Sequence, residues 1–206
     1  MLSIAVLVSG GGTNLQALLN AQENGVLQSG RISLVVSNKA GAFALTRAER
    51  AGVETAVLLK KRENGLLESP ADYGKRLVAL LRAHGINIVV LAGFMLILDP
   101  CVIEAYRDKI INVHPSLVPS FCGEGFYGLK VHEAALEKGV KVTGATVHLV
   151  NEIPDDGRIL AQKAVEVLDG DTPESLQKRV MEQAEWLLLP QETERLAREL
   201  SACAAR

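Results

Sequence analysis

The 206-residue sequence is poor in cysteine, and its few cysteines are scattered. Cys101, Cys122 and Cys203 make an odd number and contain no C-x-x-C spacing. Such a pattern argues against a disulfide framework and against a thiolate metal site. We therefore expect a cytoplasmic protein that is kept in a reducing compartment and binds no metal.

A basic excess and a long apolar run are also missing. The formal net charge is -2 at pH 7, whereas proteins that bind nucleic acid usually present a strongly positive surface. The opening MLSIAVLVSGGG is too short to span a membrane and lacks the positive flank of a secretion signal. We predict neither a nucleic-acid nor a membrane partner, so an anionic ligand would be held by local groups.

Hydrophobic residues make up 48% of the chain, which is enough to bury a substantial core. The apolar runs IAVLVS, ISLVVS, INIVVLAG and KIINV are continuous and are separated by helical patterns. Continuous runs are typical of parallel strands that are covered on both faces. The sequence therefore predicts a single domain over residues 1–206, with an open, mostly parallel Rossmann-like α/β sheet and helices on both faces.

Several element ends carry residues with known preferences. Gly52 and Gly85 follow helical patterns and are suited to terminate helices. Thr172 is a good N-cap for the last long helix, with Pro173 in its first turn. The segments GATVHLV and ILAQKAVEV have strand character and are separated by the turn-rich NEIPDDGR.

A glycine loop, SGGGTNLQ at residues 9–16, joins the first strand to the first helix. Its three glycines, ending at Gly12, permit close backbone approach, and Thr13 and Gln16 have the spacing of a capping box. Exposed amides at the start of a helix attract anions, so the loop predicts a phosphate site. It matches neither the G-x-G-x-x-G dinucleotide pattern nor a P-loop. The alternative is that the glycines only make a tight turn.

The stretch INVHPSLVPS places Asn112 and His114 at the end of an apolar strand. Two residues apart on a strand, their side chains point to the same side, at the sheet edge where open α/β folds bind ligands. An amide and an imidazolium can both donate hydrogen bonds to a developing oxyanion. A purely structural histidine is the alternative. Asp155 and Asp156 are candidate acids, unless that loop uses them only to turn.

The remaining histidines and Cys122 give weaker signals. His148 alternates with apolar residues and is consistent with the other face of a strand, while His84 and His132 have the pattern of exposed helix residues. Cys122 has no neighbouring base that would mark it as a nucleophile. The glycine-rich residues 121–128 are consistent either with a mobile lid or with a static ordered turn.

Taken together, these segments resemble one family. The resemblance spans about residues 1–190 and is to the glycinamide ribonucleotide formyltransferases of purine biosynthesis, a group of folate-dependent formyl transferases. It is carried by SGGGTNLQALL, VSNKAGAFALTRA, VVLAGFMLIL, INVHPSLVPSF, TGATVHLVNEIPDDGRILAQKAV and the RVMEQAEW helix.

The resemblance implies transfer of the formyl group of 10-formyltetrahydrofolate, a co-substrate, to the amine of 5-phosphoribosyl glycinamide without a metal. Asn112 and protonated His114 would stabilise the oxyanion, and Asp155 rather than Asp156 would keep His114 charged and help to move the amine proton. Residues 1–110 would form the phosphate-binding half and residues 111–190 the catalytic and folate-binding half. A C-terminal helical tail would cover 191–206, and the protein would be a monomer or homodimer.

The resemblance also implies binding residues. Gly12, Thr13 and Asn14 match the family's phosphate contacts, and Glu185 matches a glutamate that touches the ribose hydroxyls. On an ideal helical wheel, however, Glu185 lies opposite an apolar face formed by Leu176, Val180 and Leu187.

Folate contacts follow from the same resemblance. The pterin would lie against an apolar wall and would face a loop that begins at Asn151, near Asn112. Leu96 and Pro70 stand where some members carry basic residues. The wall consists of Met95, Leu96, Ile97 and Leu98, whose alternative role is in the core.

Three rival functions share some of these features. Formyltetrahydrofolate hydrolase resembles the chain through the same catalytic set, but it carries an extra N-terminal domain, and here we expect the sheet to start near residue 4. Methionyl-tRNA formyltransferase would need a further basic C-terminal domain, for which we expect no room. A non-catalytic binder of a phosphorylated metabolite would use the glycine loop alone.

Overall fold

The computed structural model describes residues 1–60 and 66–204. It contains one seven-stranded sheet, in the strand order β3-β2-β1-β4-β5-β6-β7. The strands are β1 Leu2–Val8, β2 Gly30–Ser37, β3 Glu54–Val57, β4 Ile88–Leu91, β5 Ile110–His114, β6 Val142–Leu149 and β7 Ile159–Glu166. The helices are α1 Thr13–Glu23, α2 Phe43–Arg50, α3 Pro70–Ala83, α4 Pro100–Ala105, α5 Leu129–Lys138, α6 Pro173–Val180 and α7 Trp186–Ala204, with a π-helical turn at Met181–Glu185 before α7.

Strands β1 to β5 pair in parallel, whereas β6 pairs antiparallel with both β5 and β7. The predicted open, mostly parallel sheet is therefore confirmed. Strand order reverses between β1 and β4, because β2 and β3 lie on one side of β1 and the later strands lie on the other. Open α/β sheets bind ligands at such a switch point, outside the carboxyl ends of the strands.

The core lies on both faces of this sheet. Along β1, Ile4, Val6 and Val8 pack into one buried cluster, and Ala5 and Leu7 pack into the other. This alternation follows from the two-residue period of a strand. It also explains why the strand sequences are continuously apolar, since neither face meets water.

The predicted helix ends are largely confirmed. Gly52 and Gly85 adopt positive φ directly after the C-caps of α2 and α3. Thr172 caps α6 by accepting from the Ser175 amide, and the Ser175 side chain completes the capping box. Strand β3 and helix α4 were not predicted, because one is a four-residue edge strand and the other a six-residue helix.

The last helix runs through residues 190 and 191, where the predicted tail of 191–206 would begin. Residues 205 and 206 of that predicted tail lie outside the described part, and the division of the chain into segments stays a prediction. Within residues 1–60 and 66–204, no helix has the length and apolar character needed to cross a membrane.

Gly144 offers a test of the β6–β7 pairing. A Cβ atom there would lie 2.1 Å from the Lys163 carbonyl oxygen and 2.8 Å from Leu117 Cδ2. We expect Gly144→Ala to lower the free energy of unfolding by about 1–3 kcal/mol or more, because the backbone must shift. Urea denaturation measures this change. Gly41→Ala is the control, since a Cβ there meets no atom within 4 Å; an equal effect of the two changes would contradict the explanation.

Candidate active site

Antiparallel pairing of β5 with β6 forms a row of polar side chains at the carboxyl end of β5. Asn112 pairs with His148, and His114 pairs with Thr146. Directly opposite residues share a face of the sheet, so all four side chains lie on one side. His148 therefore lies beside Asn112 rather than on the other face of its strand, which corrects the interpretation from alternation. His114, Thr146 and His148 are all buried.

Asp155 follows β6 and points its carboxylate into this row. Its Oδ1 lies 3.4 Å from Asn112 Nδ2 and 3.5 Å from His148 Nε2. Its Oδ2 lies 3.4 Å from His114 Nδ1 and accepts a hydrogen bond of 2.9 Å from the Gly123 amide. The residue has φ 58°, a left-handed conformation that aspartate tolerates better than most residues. One carboxylate thus contacts every predicted catalytic group.

The neighbouring Asp156 is exposed and has a different environment. The Asn151 amide Nδ2 donates to Asp156 Oδ2 over 3.3 Å, and Asn151 Oδ1 accepts from the Ile153 amide. These bonds belong to the loop itself. The structure therefore places Asp155, and not Asp156, against Asn112 and His114.

Burial sets the protonation of His114 and Asp155. Burial lowers the pKa of His114, and it outweighs the opposing effects of the Asp155 charge and the Phe121 carbonyl. Burial raises the pKa of Asp155, but the hydrogen bond with His148, the charge on His114 and the Gly123 amide together hold it below its usual value. Burial therefore acts against the predicted role of Asp155 in keeping His114 charged. A lowered pKa favours the neutral form of the His114 imidazole beside the Asp155 carboxylate.

The loop at 121–128 is fastened to this pair. His114 Nε2 donates to the Phe121 carbonyl over 2.8 Å, and the Gly123 amide donates to Asp155. The rings of Phe121 and Phe126 pack edge to face, with centroids 6.3 Å apart. The loop therefore covers His114 and Asp155.

His132 is buried, contrary to the expectation of an exposed helix residue. It lies in α5 with no exposed surface, and burial lowers its pKa to about 4. Within the described residues, neither ring nitrogen has a hydrogen-bond partner. The charge that His114 carries when it is protonated lowers this pKa further.

The glycine loop begins α1 without the predicted capping box. Gly12 is the N-cap, with φ 74° and no side-chain capping bond. The Gln16 side chain instead bonds Arg47 and Asn20. A Cβ on Gly12 would lie 2.6 Å from Ala44 Cβ, so α2 packs directly against the loop. The first amides of α1 have no acceptor within the helix, which leaves them available to an anion.

Glu185 is buried, and the ideal helical wheel misplaced it. The π-helical turn at Met181–Glu185 inserts one residue and rotates the subsequent helix by about 100° about its axis. Glu185 is consequently 5% exposed and accepts a 2.6 Å hydrogen bond from Asn14 Nδ2, while Leu187 is 43% exposed. Burial raises the pKa of Glu185 to about 7, against the opposing effect of the Asn14 hydrogen bond. The turn therefore carries this carboxyl to the start of α1.

The segment after β4 forms the apolar surface near the switch point. Met95 and Ile97 are exposed, Leu96 is partly buried and Leu98 is buried in the core. The Met95 amide donates to Ser9 Oγ over 2.8 Å, which ties the segment to the end of β1. Two of the four residues predicted to contact the pterin, Met95 and Ile97, are therefore available to a ligand, whereas Leu98 belongs to the core.

Two further features bear on what the site can hold. Among the residues that the structure describes, no group of three or more His, Cys, Asp or Glu side chains is arranged for a metal ion. A cavity of about 410 Å³ lies between α1 and α7, beside Thr13, Trp186 and Pro190. Asn112, His114 and Asp155 do not line it, so it is separate from the polar row.

The raised pKa of Glu185 predicts a specific pH dependence. A carboxyl whose folded-state pKa exceeds its unfolded value destabilises the fold as pH rises through the folded pKa. Between pH 5 and pH 8, Glu185→Gln should therefore gain stability relative to the parent protein, by about 2–3 kcal/mol. Urea denaturation at both pH values measures this gain. Glu182→Gln, at an exposed position of the same turn, should show no such gain, and a pH-independent difference for Glu185→Gln would contradict the assignment.

Known proteins share the sequence and the fold of this chain. The sequence profile of the formyl transferase family matches residues 2–192. Phosphoribosylglycinamide formyltransferase of Haemophilus influenzae is 39% identical over 183 residues, 89% of this chain and 82% of that protein. The chloroplastic phosphoribosylglycinamide formyltransferase of Arabidopsis thaliana is 42% identical over 179 residues, 86% of this chain.

The chain spans 60% of that chloroplastic relative and 17% of a trifunctional purine biosynthetic protein, adenosine-3, of Gallus gallus. Among solved structures, glycinamide ribonucleotide transformylase 1 from Symbiobacterium toebii superposes with a TM-score of 0.88 at 39% identity, covering 97% of this chain and 89% of that one. The chain belongs to the formyl transferase family.

Proposed function

We propose that the protein transfers the formyl group of 10-formyltetrahydrofolate to the amine of 5-phosphoribosyl glycinamide, a step of purine biosynthesis. The observation that carries the proposal is the convergence of Asn112, His114 and Asp155 at the carboxyl end of β5. The Asp155 carboxylate lies 3.4 Å from Asn112 Nδ2 and 3.4 Å from His114 Nδ1. The relatives named phosphoribosylglycinamide formyltransferase support the choice of substrates.

The amine substrate would be anchored at the switch point by its phosphate. The free amides at the start of α1, at Thr13 and Asn14, suit a phosphate group. Glu185 lies beside Asn14 and suits the ribose hydroxyls, since a buried carboxyl seeks hydrogen-bond partners. In this arrangement the glycinamide arm would extend toward β5.

The formyl donor would lie across the carboxyl end of β4. The exposed Met95 and Ile97, with the partly buried Leu96 and the buried Leu98 beneath them, offer an apolar face for a pterin. Asn112 and Asn151 supply amide groups at its border. We propose these residues as the folate site, with no metal in the reaction.

The chemistry needs no nucleophile from the protein. The neutral amine forms a bond to the formyl carbon, and the carbonyl electrons move to oxygen, where the amide of Asn112 stabilises the oxyanion. The nitrogen becomes an ammonium, and its proton passes to the Asp155 and His114 pair, directly or through water. His114 gains charge at this stage and also stabilises the oxyanion. The oxyanion electrons then re-form the carbonyl, the bond between the formyl carbon and the folate nitrogen breaks, and the proton passes to that nitrogen.

An assay of the purified protein tests the proposed function. We expect loss of 10-formyltetrahydrofolate that depends on 5-phosphoribosyl glycinamide and yields formylated product. Turnover without the amine would instead indicate a hydrolase. Binding of both molecules without turnover would indicate a binder of phosphorylated metabolites, and either result overturns the proposal.

Substitutions test the named roles. His114→Ala should lower kcat by about 10²-fold or more, because the charge that stabilises the oxyanion is lost, with little change in substrate binding. Asp155→Asn should lower kcat much more than Asp156→Asn, because Asp156 bonds only within its loop. Steady-state kinetics measure both. Near-normal turnover of His114→Ala, or equal effects of the two aspartate changes, would refute the assignment.

A further inference from the structure

We propose that Arg47 is a positioning residue that fixes the orientation of the peptide between Gly11 and Gly12 in the glycine loop; this inference rests on the proposed function for its kinetic consequences. Arg47 lies in α2, outside the loop, and is partly buried. Its Nε donates to the Gly11 carbonyl over 2.8 Å, and its Nη1 donates to Gln16 Oε1 over 3.0 Å. The charge of the guanidinium strengthens both hydrogen bonds. The group also lies 5.0 Å from the centroid of the Phe43 ring, a cation–π contact that restrains it.

The backbone of the glycine loop does not select this orientation by itself. Gly12 has φ 74° and no side-chain cap, and a Cβ atom on Gly10 or Gly11 would meet nothing within 4 Å. Glycine adopts positive and negative φ about equally well. Turning the Gly11–Gly12 peptide over would move Gly12 from positive to negative φ, so a contact from outside the loop must decide between the two orientations.

Helix α2 supplies that support, because it contacts each of the three glycines. The Ala44 amide, in the first turn of α2, donates to the Gly10 carbonyl over 3.0 Å. Gly12 packs against Ala44, since a Cβ atom on Gly12 would lie 2.6 Å from the Ala44 Cβ. Between these two contacts, Arg47 holds the Gly11 carbonyl. The loop is therefore fastened to one face of α2 at three successive residues.

Peptide geometry explains what this support achieves. In a trans peptide the carbonyl and the following N–H point in opposite directions from one rigid plane. Because α2 binds the Gly10 and Gly11 carbonyls, the amides of Gly11 and Gly12 point away from α2. They extend the set of free amides at the start of α1 that suits a phosphate group. A reversed Gly11–Gly12 peptide would instead present a carbonyl oxygen, which repels an anion, and restoring the peptide on binding would cost affinity.

Two competing roles for Arg47 make different predictions. An arginine that attracts the phosphate by its charge alone would be replaced by lysine without loss. An arginine that only joins α1 to α2 would change the stability of the protein and leave the KM for the amine substrate unchanged. The positioning role predicts a defect with lysine as well, because one ammonium nitrogen cannot occupy the places of two guanidinium nitrogens.

Steady-state kinetics give the first test. We expect Arg47→Lys and Arg47→Met each to raise the KM for 5-phosphoribosyl glycinamide by about 10-fold, the effect of losing one charge-assisted hydrogen bond. Both kcat and the KM for 10-formyltetrahydrofolate should change by less than about 2-fold, because the phosphate is bound equally in the ground state and the transition state. Arg50→Met is the matched control, since it removes the same charge from an exposed position of α2, and it should leave both KM values unchanged. A parent-like KM in Arg47→Lys, or an equal rise in Arg50→Met, would overturn the proposal.

Nuclear magnetic resonance of the full-length parent protein gives a test that needs no turnover. The Nε hydrogen of Arg47 should exchange with solvent much more slowly than that of Arg50, and added inorganic phosphate should shift the Gly12 amide resonance. Equal exchange for the two arginines, or no response of the Gly12 amide to phosphate, would overturn the proposal even if the variants failed to fold. Absence of formyl transfer by the parent protein would instead refute the proposed function, and the bond of Arg47 to the loop would still be decided by this measurement.

Discussion

The buried carboxylate of Asp155 is the constraint on which the site depends. Unpaired, a carboxylate that is only 13% exposed would be costly. Here it accepts a hydrogen bond from the Gly123 amide and lies within 3.5 Å of the Asn112 amide and of two imidazoles. These partners come from three parts of the chain, so one buried charge brings β5, β6 and the 121–128 loop together.

The pKa of His114 is set by burial, which outweighs the opposing charge of the same carboxylate. Its ring faces two acceptors, the Asp155 carboxylate and the Phe121 carbonyl, and only the charged ring would donate to both. Burial nevertheless lowers its pKa. The ring is thus ready to take a proton when a negative charge develops nearby, and a donor that becomes charged only then stabilises the transition state more than the ground state.

The two ends of the site are built by different means. At the β5 end, antiparallel pairing and the left-handed conformation of Asp155 aim polar groups at one another. At the phosphate end, a glycine with positive φ starts α1, and a π-helical turn carries Glu185 onto Asn14. The switch point between β1 and β4 lies between them, which suits a substrate with a phosphate at one end and an amine at the other.

The sequence by itself determined the sheet, because continuous apolar strands and terminating glycines are local signals that burial enforces. It also indicated Asn112, His114 and Asp155, through strand-end spacing and family resemblance. Only the tertiary structure decided the environments of Glu185, His132 and His148. A single π-helical residue rotates Glu185 inward, helix packing covers His132, and β5–β6 register brings His148 to Asn112, since these outcomes depend on contacts between segments distant in the chain.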